Sequence, residues 1–102
     1  MDTTQISKLH KLKHEDQVSV RGNFYITKTL KTREGDCMAF VEVRDSTGTV
    51  EVVVFADMYK PNKDLLESCD GEVYFMGRLD ILEGERPPLI IVENISRADR
   101  IK

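Results

Sequence analysis

Few side chains in this 102-residue chain are placed for reaction chemistry. His10 and His14 stand four apart, a spacing that turns two imidazoles to one face of a helix, but no third ligand follows nearby. They read as surface histidines rather than a metal site. Cys37 and Cys69 allow one disulfide at most and lie in no Cys-x-x-Cys or Cys/His pattern, so they read as reduced packing thiols. No His or Cys neighbours a group that would orient it, and Glu83-Gly84-Glu85 sits on a loop with no apolar pocket implied to raise a carboxylate pKa. The expectation is a chain with no catalytic residues, no metal site and no cofactor.

Aromatic rings interleaved with cations suggest binding instead. Ala39, Val41 and Val43 alternate with Phe40, Glu42 and Arg44, so a strand here buries the first set and turns the second to solvent. Arg21, Asn23 and Tyr25 form the outward set of the preceding strand, and Lys28, Lys31 and Arg33 occupy the segment joining the two. A ring exposed on a strand stacks on any base for about 1–3 kcal/mol, and Lys and Arg neutralise phosphates. The candidate nucleic-acid-binding residues are therefore Arg21, Tyr25, Lys28, Lys31, Arg33, Phe40 and Arg44. The competing reading is a solvated charged loop beside one apolar cross-strand pair.

Net charge limits the strength of such binding. At −3, with a pI near 5.4, the chain lacks the global basic signature of a strong non-specific nucleic-acid binder. The first 44 residues hold 8 Lys/Arg against 6 Asp/Glu and the rest hold 7 against 12, which places any nucleic-acid face mainly in the first half. The apolar runs at residues 52–56 and 89–92 fall far short of the roughly 20 residues that span a bilayer. With no secretory leader at Met1-Asp2-Thr3, the expectation is a cytoplasmic protein with no membrane partner.

The elements that must position these residues follow from periodicity. Ile6, Leu9 and Leu12, three apart, predict a short amphipathic helix within residues 1–16, with Thr3 or Thr4 as N-cap. Alternation then predicts strands at residues 18–27, 38–45 and 49–55, with a mobile loop at 28–36 and a turn at Ser46-Thr47-Gly48, where Gly48 suits a positive φ. Val53 falls on the outward set of the third strand. A short helix at residues 62–68, entered through Pro61 and stopped by Asp70-Gly71, leads to strands at 72–81 and 89–95. Phe55 and Tyr59 read first as packing of that connection on the sheet, with base stacking as the lesser alternative. Gly22 and Gly77 read as bends inside strands.

Five twisted strands with a helix between the third and fourth predict an all-β fold with one or two short helices. Its form is a five-stranded Greek-key barrel of the oligonucleotide/oligosaccharide-binding (OB) type, over residues 17–96 with a tail at 97–102. Val20, Val41, Val43, Val52, Val54, Phe75 and Leu79 are its predicted core.

A more specific pattern lies in the middle of the chain. Val18-x-Val20-x-Gly22, Thr32-Arg33-Glu34-Gly35, and Met38-Ala39-Phe40-Val41-x-Val43-x-Asp45-x-Thr47-Gly48-x-Val50-Glu51-Val52-Val53-Val54-Phe55-x-x-x-Tyr59 together resemble the OB domain near the C-terminus of bacterial DNA polymerase III alpha subunits. The resemblance covers roughly residues 17–95. Asp45-x-x-Gly48 before an apolar strand is also similar to anticodon-binding OB domains of class II aminoacyl-tRNA synthetases and to helicase domains. The polymerase resemblance implies a fragment of a longer DNA-directed DNA polymerase whose catalytic carboxylates lie in a separate palm domain. It also implies partners: single-stranded DNA, bound weakly and salt-dependently, and the other polymerase domains and replisome subunits. A protein-interaction OB module and a synthetase anticodon-binding domain remain the alternatives.

Overall fold

An apolar face on every strand is buried completely only when the sheet curls onto itself, and here it does. The computed structural model describes residues 3–68, 71–81 and 87–97. Its strands are β1 (Gln17–Lys31), β2 (Cys37–Asp45), β3 (Gly48–Val54), β4 (Val73–Asp80) and β5 (Leu89–Arg97). They form a closed barrel in the order β1-β2-β3-β5-β4, with β4 pairing back onto β1. Every pair is antiparallel except β3 and β5, which run parallel through Glu51↔Leu89, Val52↔Ile90 and Val53↔Ile91. The predicted Greek-key barrel is therefore the observed one.

All seven predicted core residues have no exposed surface. This fixes the register, because a slip of one residue would turn each set inside out. Phe24 packs edge-to-face on Phe75, with ring centroids 5.6 Å apart. The long β1 serves two neighbours: residues 17–22 pair with β4 and residues 23–31 with β2. Gly22 sits at that switch, where a Cβ would lie 2.1 Å from the Arg44 carbonyl oxygen, and Gly77 would meet the Ile91 oxygen at 1.9 Å. Both predicted bends are thus places where two backbones meet too closely for any side chain.

The connection between β3 and β4 is helical from an earlier point than predicted: α1 (Ala56–Tyr59), a 3₁₀ turn (Lys60–Asn62) containing Pro61, and α2 (Lys63–Ser68). Tyr59 and Leu66 are buried against the barrel, and the Tyr59 hydroxyl donates to Glu67 Oε2 at 2.9 Å. Burial and the Glu67 carboxylate both raise the Tyr59 pKa. Phe55 departs from its predicted packing role. It is 44% exposed, because the continuing alternation of β3 carries it outward just before the chain turns into α1.

The N-terminal helix is 3₁₀ (Ile6–Lys11), not α. An apolar residue at every third position matches the three residues per turn of a 3₁₀ helix, so Ile6 and Leu9 are buried and Leu12 packs beside them. Gln5 rather than Thr3 or Thr4 occupies the N-cap, with no side-chain capping bond. The helix is held from outside instead, by Ile6 N donating to Asp45 Oδ2 at 2.9 Å and Ser7 N to Thr47 Oγ1 at 3.1 Å. No helix among the described residues is long and apolar enough to cross a membrane. The predictions for Cys69, Asp70, residues 83–86 and the tail beyond residue 97 fall outside the described residues.

Candidate nucleic-acid interface

The candidate residues lie on β1, on β2 and in the loop joining them, and a bulge decides how they meet. Ile26 faces Val41, but Lys28 faces Phe40, so Thr27 is one residue extra, with its hydroxyl donating to the Phe40 carbonyl oxygen at 3.0 Å. The extra residue shifts the phase of the alternation. Lys28 and Leu30, which would otherwise continue the inward set, lie on the outer face opposite Phe40 and Met38, while Lys31 pairs with Cys37 on the other face.

Lys28 and Lys31 therefore belong to a strand, not to the predicted loop. The hairpin extends beyond the barrel, both its faces meet solvent, and residues 28–31 are all exposed, so no apolar alternation marks them in the sequence. The actual loop is residues 32–36, closed by Thr32 N donating to the Asp36 oxygen at 2.7 Å and Gly35 N to the Thr32 oxygen at 3.0 Å. Gly35 holds the positive φ (88°) there. Gly48 has none, because Asp45 shapes its turn by accepting from Thr47 N at 2.7 Å and Gly48 N at 3.0 Å.

Cross-strand register sorts the outer wall into rows. One row runs Lys28–Phe40–Val53–Ile91, and the next runs Tyr25–Glu42–Glu51–Leu89. In the first, Phe40 and Ile91 are half-buried and flank Val53, which is only 4% exposed although it points away from the core. Val53 is thus outward, as predicted, yet covered by its neighbours. The second row is acidic at its centre, with Glu42 directly opposite Glu51. A half-open groove of about 480 Å³ lies over that row, lined by Glu42, Glu51, His10 and Pro88 among others.

The seven candidates fall into two groups. Arg21 is engaged by Glu72, Nε to Oε1 at 2.7 Å, and its guanidinium lies 5.7 Å from the Tyr74 ring centre. The Glu72 hydrogen bond and charge raise its pKa further. Tyr25 donates its hydroxyl to Glu42 Oε1 at 2.9 Å, which raises the phenol pKa, and Arg44 lies 3.8 Å from Glu42. Lys28, Lys31 and Arg33 are exposed and make no ion pair among the described residues. Cations without an ion pair and the half-buried Phe40 ring thus gather at the hairpin end, while neutralised cations and carboxylates occupy the other. The histidines do not converge on a shared ligand site: His10 lines the groove and His14 Nδ1 accepts from Ile81 N at 3.1 Å.

A closed barrel of this strand order, helical between β3 and β4, is an OB fold. Over 94 residues the chain is 35% identical to DNA polymerase III subunit alpha of Aquifex aeolicus (strain VF5), a match that takes in 91% of this chain and 8% of that protein. It matches no protein-family model. Among solved structures it is similar to the second OB-fold domain of replication protein A from Methanococcus maripaludis (TM-score 0.63, 16% identity, 99% of each chain covered). It is also similar to the SSB domain of a Synechococcus protein (TM-score 0.60, 16% identity, 84% of this chain and 99% of that one). The ygiW protein of E. coli has the same fold (TM-score 0.62, 17% identity, 93% and 88% covered).

Proposed function

We propose that the chain is a single-stranded nucleic-acid-binding OB module that acts within a DNA polymerase III alpha subunit, in the cytoplasm, holding template single-stranded DNA near the polymerase without sequence preference. Its partners are then single-stranded DNA and the other domains and subunits of the replicative assembly. Chemistry belongs to other parts of that polymerase; binding is the role of this piece.

One observation carries the reading: the half-buried Phe40 ring lies directly opposite Lys28, on the hairpin whose cations have no carboxylate partner among the described residues. A base stacked on Phe40 would put its phosphates beside Lys28, with Arg33 in the loop at the hairpin tip and Lys31 on the hairpin's other face. Tyr25, Arg21 and Arg44 would border the path. The similarity to a polymerase subunit and the likeness to an SSB domain and a replication protein A domain agree with this chemistry.

The test is titration of the chain with fluorescein-labelled (dT)12 and (rU)12 at rising salt, with amide NMR shifts as the map. Signals of Phe40, Lys28, Lys31 and Arg33 are expected to move first, and Phe40→Ala to cost about 1–3 kcal/mol of binding. Full affinity retained by Phe40→Ala combined with reversal of the hairpin charges would hand this face to a protein partner instead.

A further inference from the structure

The outer wall does not offer a single strand equal passage in both directions from Phe40. Toward the N-terminal 3₁₀ helix lie Glu42 and Glu51, directly opposed, beside Arg44, which is already engaged by Glu42, with Arg21 further along β1 held by Glu72. A phosphate backbone moving that way meets negative charge. In the other direction the surface is apolar: Leu30, paired with Met38, is 41% exposed, and Phe55, two residues beyond Val53 on the same outward phase, is 44% exposed. Strand geometry puts Phe55 about 8 Å from Phe40, one strand over and two residues along. Only Tyr25 is another exposed large hydrophobic residue among those described, and its hydroxyl is bound to Glu42.

The chain turns into α1 immediately after Phe55. A half-open cleft of about 290 Å³ lies between that turn and the tip of the β1–β2 hairpin, with Ala56, Lys60 and Lys63 on one side and Gly35 and Asp36 on the other. Lys60 and Lys63 are exposed and make no ion pair among the described residues. Asp57 and Asp64 of the same helical segment do not line the cleft; Asp36 is its one carboxylate against two lysines, Cys37 and Tyr59 complete its lining, and Phe55 stands just outside it, one residue before Ala56.

We propose that Phe55 is a second base-stacking platform and that Lys60 and Lys63 bind the phosphates beyond it. A single DNA strand would then leave Phe40 toward α1, pass over Phe55 and run along the cleft, away from Glu42 and Glu51. This rests on the single-strand-binding reading above and gives that site a direction and an end. It also uses the free cations and the exposed ring that the hairpin residues alone leave without a role.

The whole chain, bound to fluorescein-labelled (dT)12 and followed by anisotropy, tests it. Phe55→Ala is expected to weaken binding roughly 5- to 150-fold, the range for loss of one stacked base, with Phe55→Tyr close to the parent. The double variant Lys60→Gln/Lys63→Gln should reduce the slope of log K against log salt by about 1.4, the loss of two phosphate contacts on a single strand. Oligonucleotides carrying 5-bromodeoxyuridine should photocrosslink to Phe55 in the unaltered chain, a result independent of how any variant folds. If Phe40→Ala weakens binding while the Phe55 and lysine variants stay within twofold and crosslinks avoid Phe55, the path is overturned and the binding reading stands. If the unaltered chain binds no (dT)12, the binding reading fails and the path with it.

Discussion

Asp45 does more than shape a turn. Its Oδ1 accepts from Thr47 N at 2.7 Å, Thr47 Oγ1 at 2.6 Å and Gly48 N at 3.0 Å, while Oδ2 accepts from Ile6 N at 2.9 Å, 39 residues away in sequence. Burial alone would push this carboxyl up, but the hydrogen bonds from Thr47, Ile6 and Gly48 outweigh it and hold the pKa below the usual value. A depressed carboxylate pKa stabilises the fold above the unfolded value near 3.9, and that stability is lost as pH falls through the folded pKa. Asp45→Ala should therefore cost about 1–3 kcal/mol at pH 7 in urea unfolding. The gap between parent and variant should narrow once the pH falls below about 4. A gap of the same size at pH 3 as at pH 7 would mean that the charge of Asp45 contributes nothing to holding the 3₁₀ helix on the barrel.

At the scale of elements, closure depends on backbones that touch. Gly77 and Gly48 separate this requirement from general tolerance. A Cβ at Gly77 would lie 1.9 Å from the Ile91 oxygen, whereas one at Gly48 would meet nothing nearer than Ile6 Cγ2 at 3.6 Å. Gly77→Ala should lose about 1–3 kcal/mol or fail to fold, and Gly48→Ala should be neutral or gain up to about 1 kcal/mol through the unfolded chain; thermal melts of the pair decide it. The barrel strands were legible in the sequence because one face of each is buried, so Val41, Val43, Val52 and Val54 had to alternate with polar neighbours. Residues 28–31 were not, since a hairpin standing clear of the core has no buried face to mark it. The bulge at Thr27 left no sequence signal either, so the pairing of Lys28 with Phe40 emerged only from the register. Phe55 was misread for a related reason: it lies where a period of two gives way to helix, and its side follows from the strand behind it rather than the helix ahead.

Across the whole molecule, a net charge of −3 opposes any polyanion at long range, so the proposed nucleic-acid binding rests on where the charges lie rather than on their sum. Glu51 is the sharpest case. It faces Glu42 across the β2–β3 pair and, unlike Glu42, has no hydrogen-bond or ion-pair partner among the described residues. Like charges directly opposed on a sheet destabilise it, by about 0.2–1 kcal/mol, and this pair sits one row from Phe40. Glu51→Gln should then do two things that rarely coincide in one substitution. It should raise the unfolding free energy by a few tenths of a kcal/mol and tighten binding of (dT)12 at low salt. The tightening should fade toward 1 M salt, where the screening length falls to about 3 Å, while the stability gain, set by two directly cross-strand neighbours, should persist longer. Because the pair stands one row from Phe40, its charge reaches a strand that starts at Phe40 through space at low salt, and stabilisation without any change in DNA affinity would mean that no strand binds near Phe40. Tightening that survives 1 M salt would instead mark Glu51 as a steric neighbour of the bound strand.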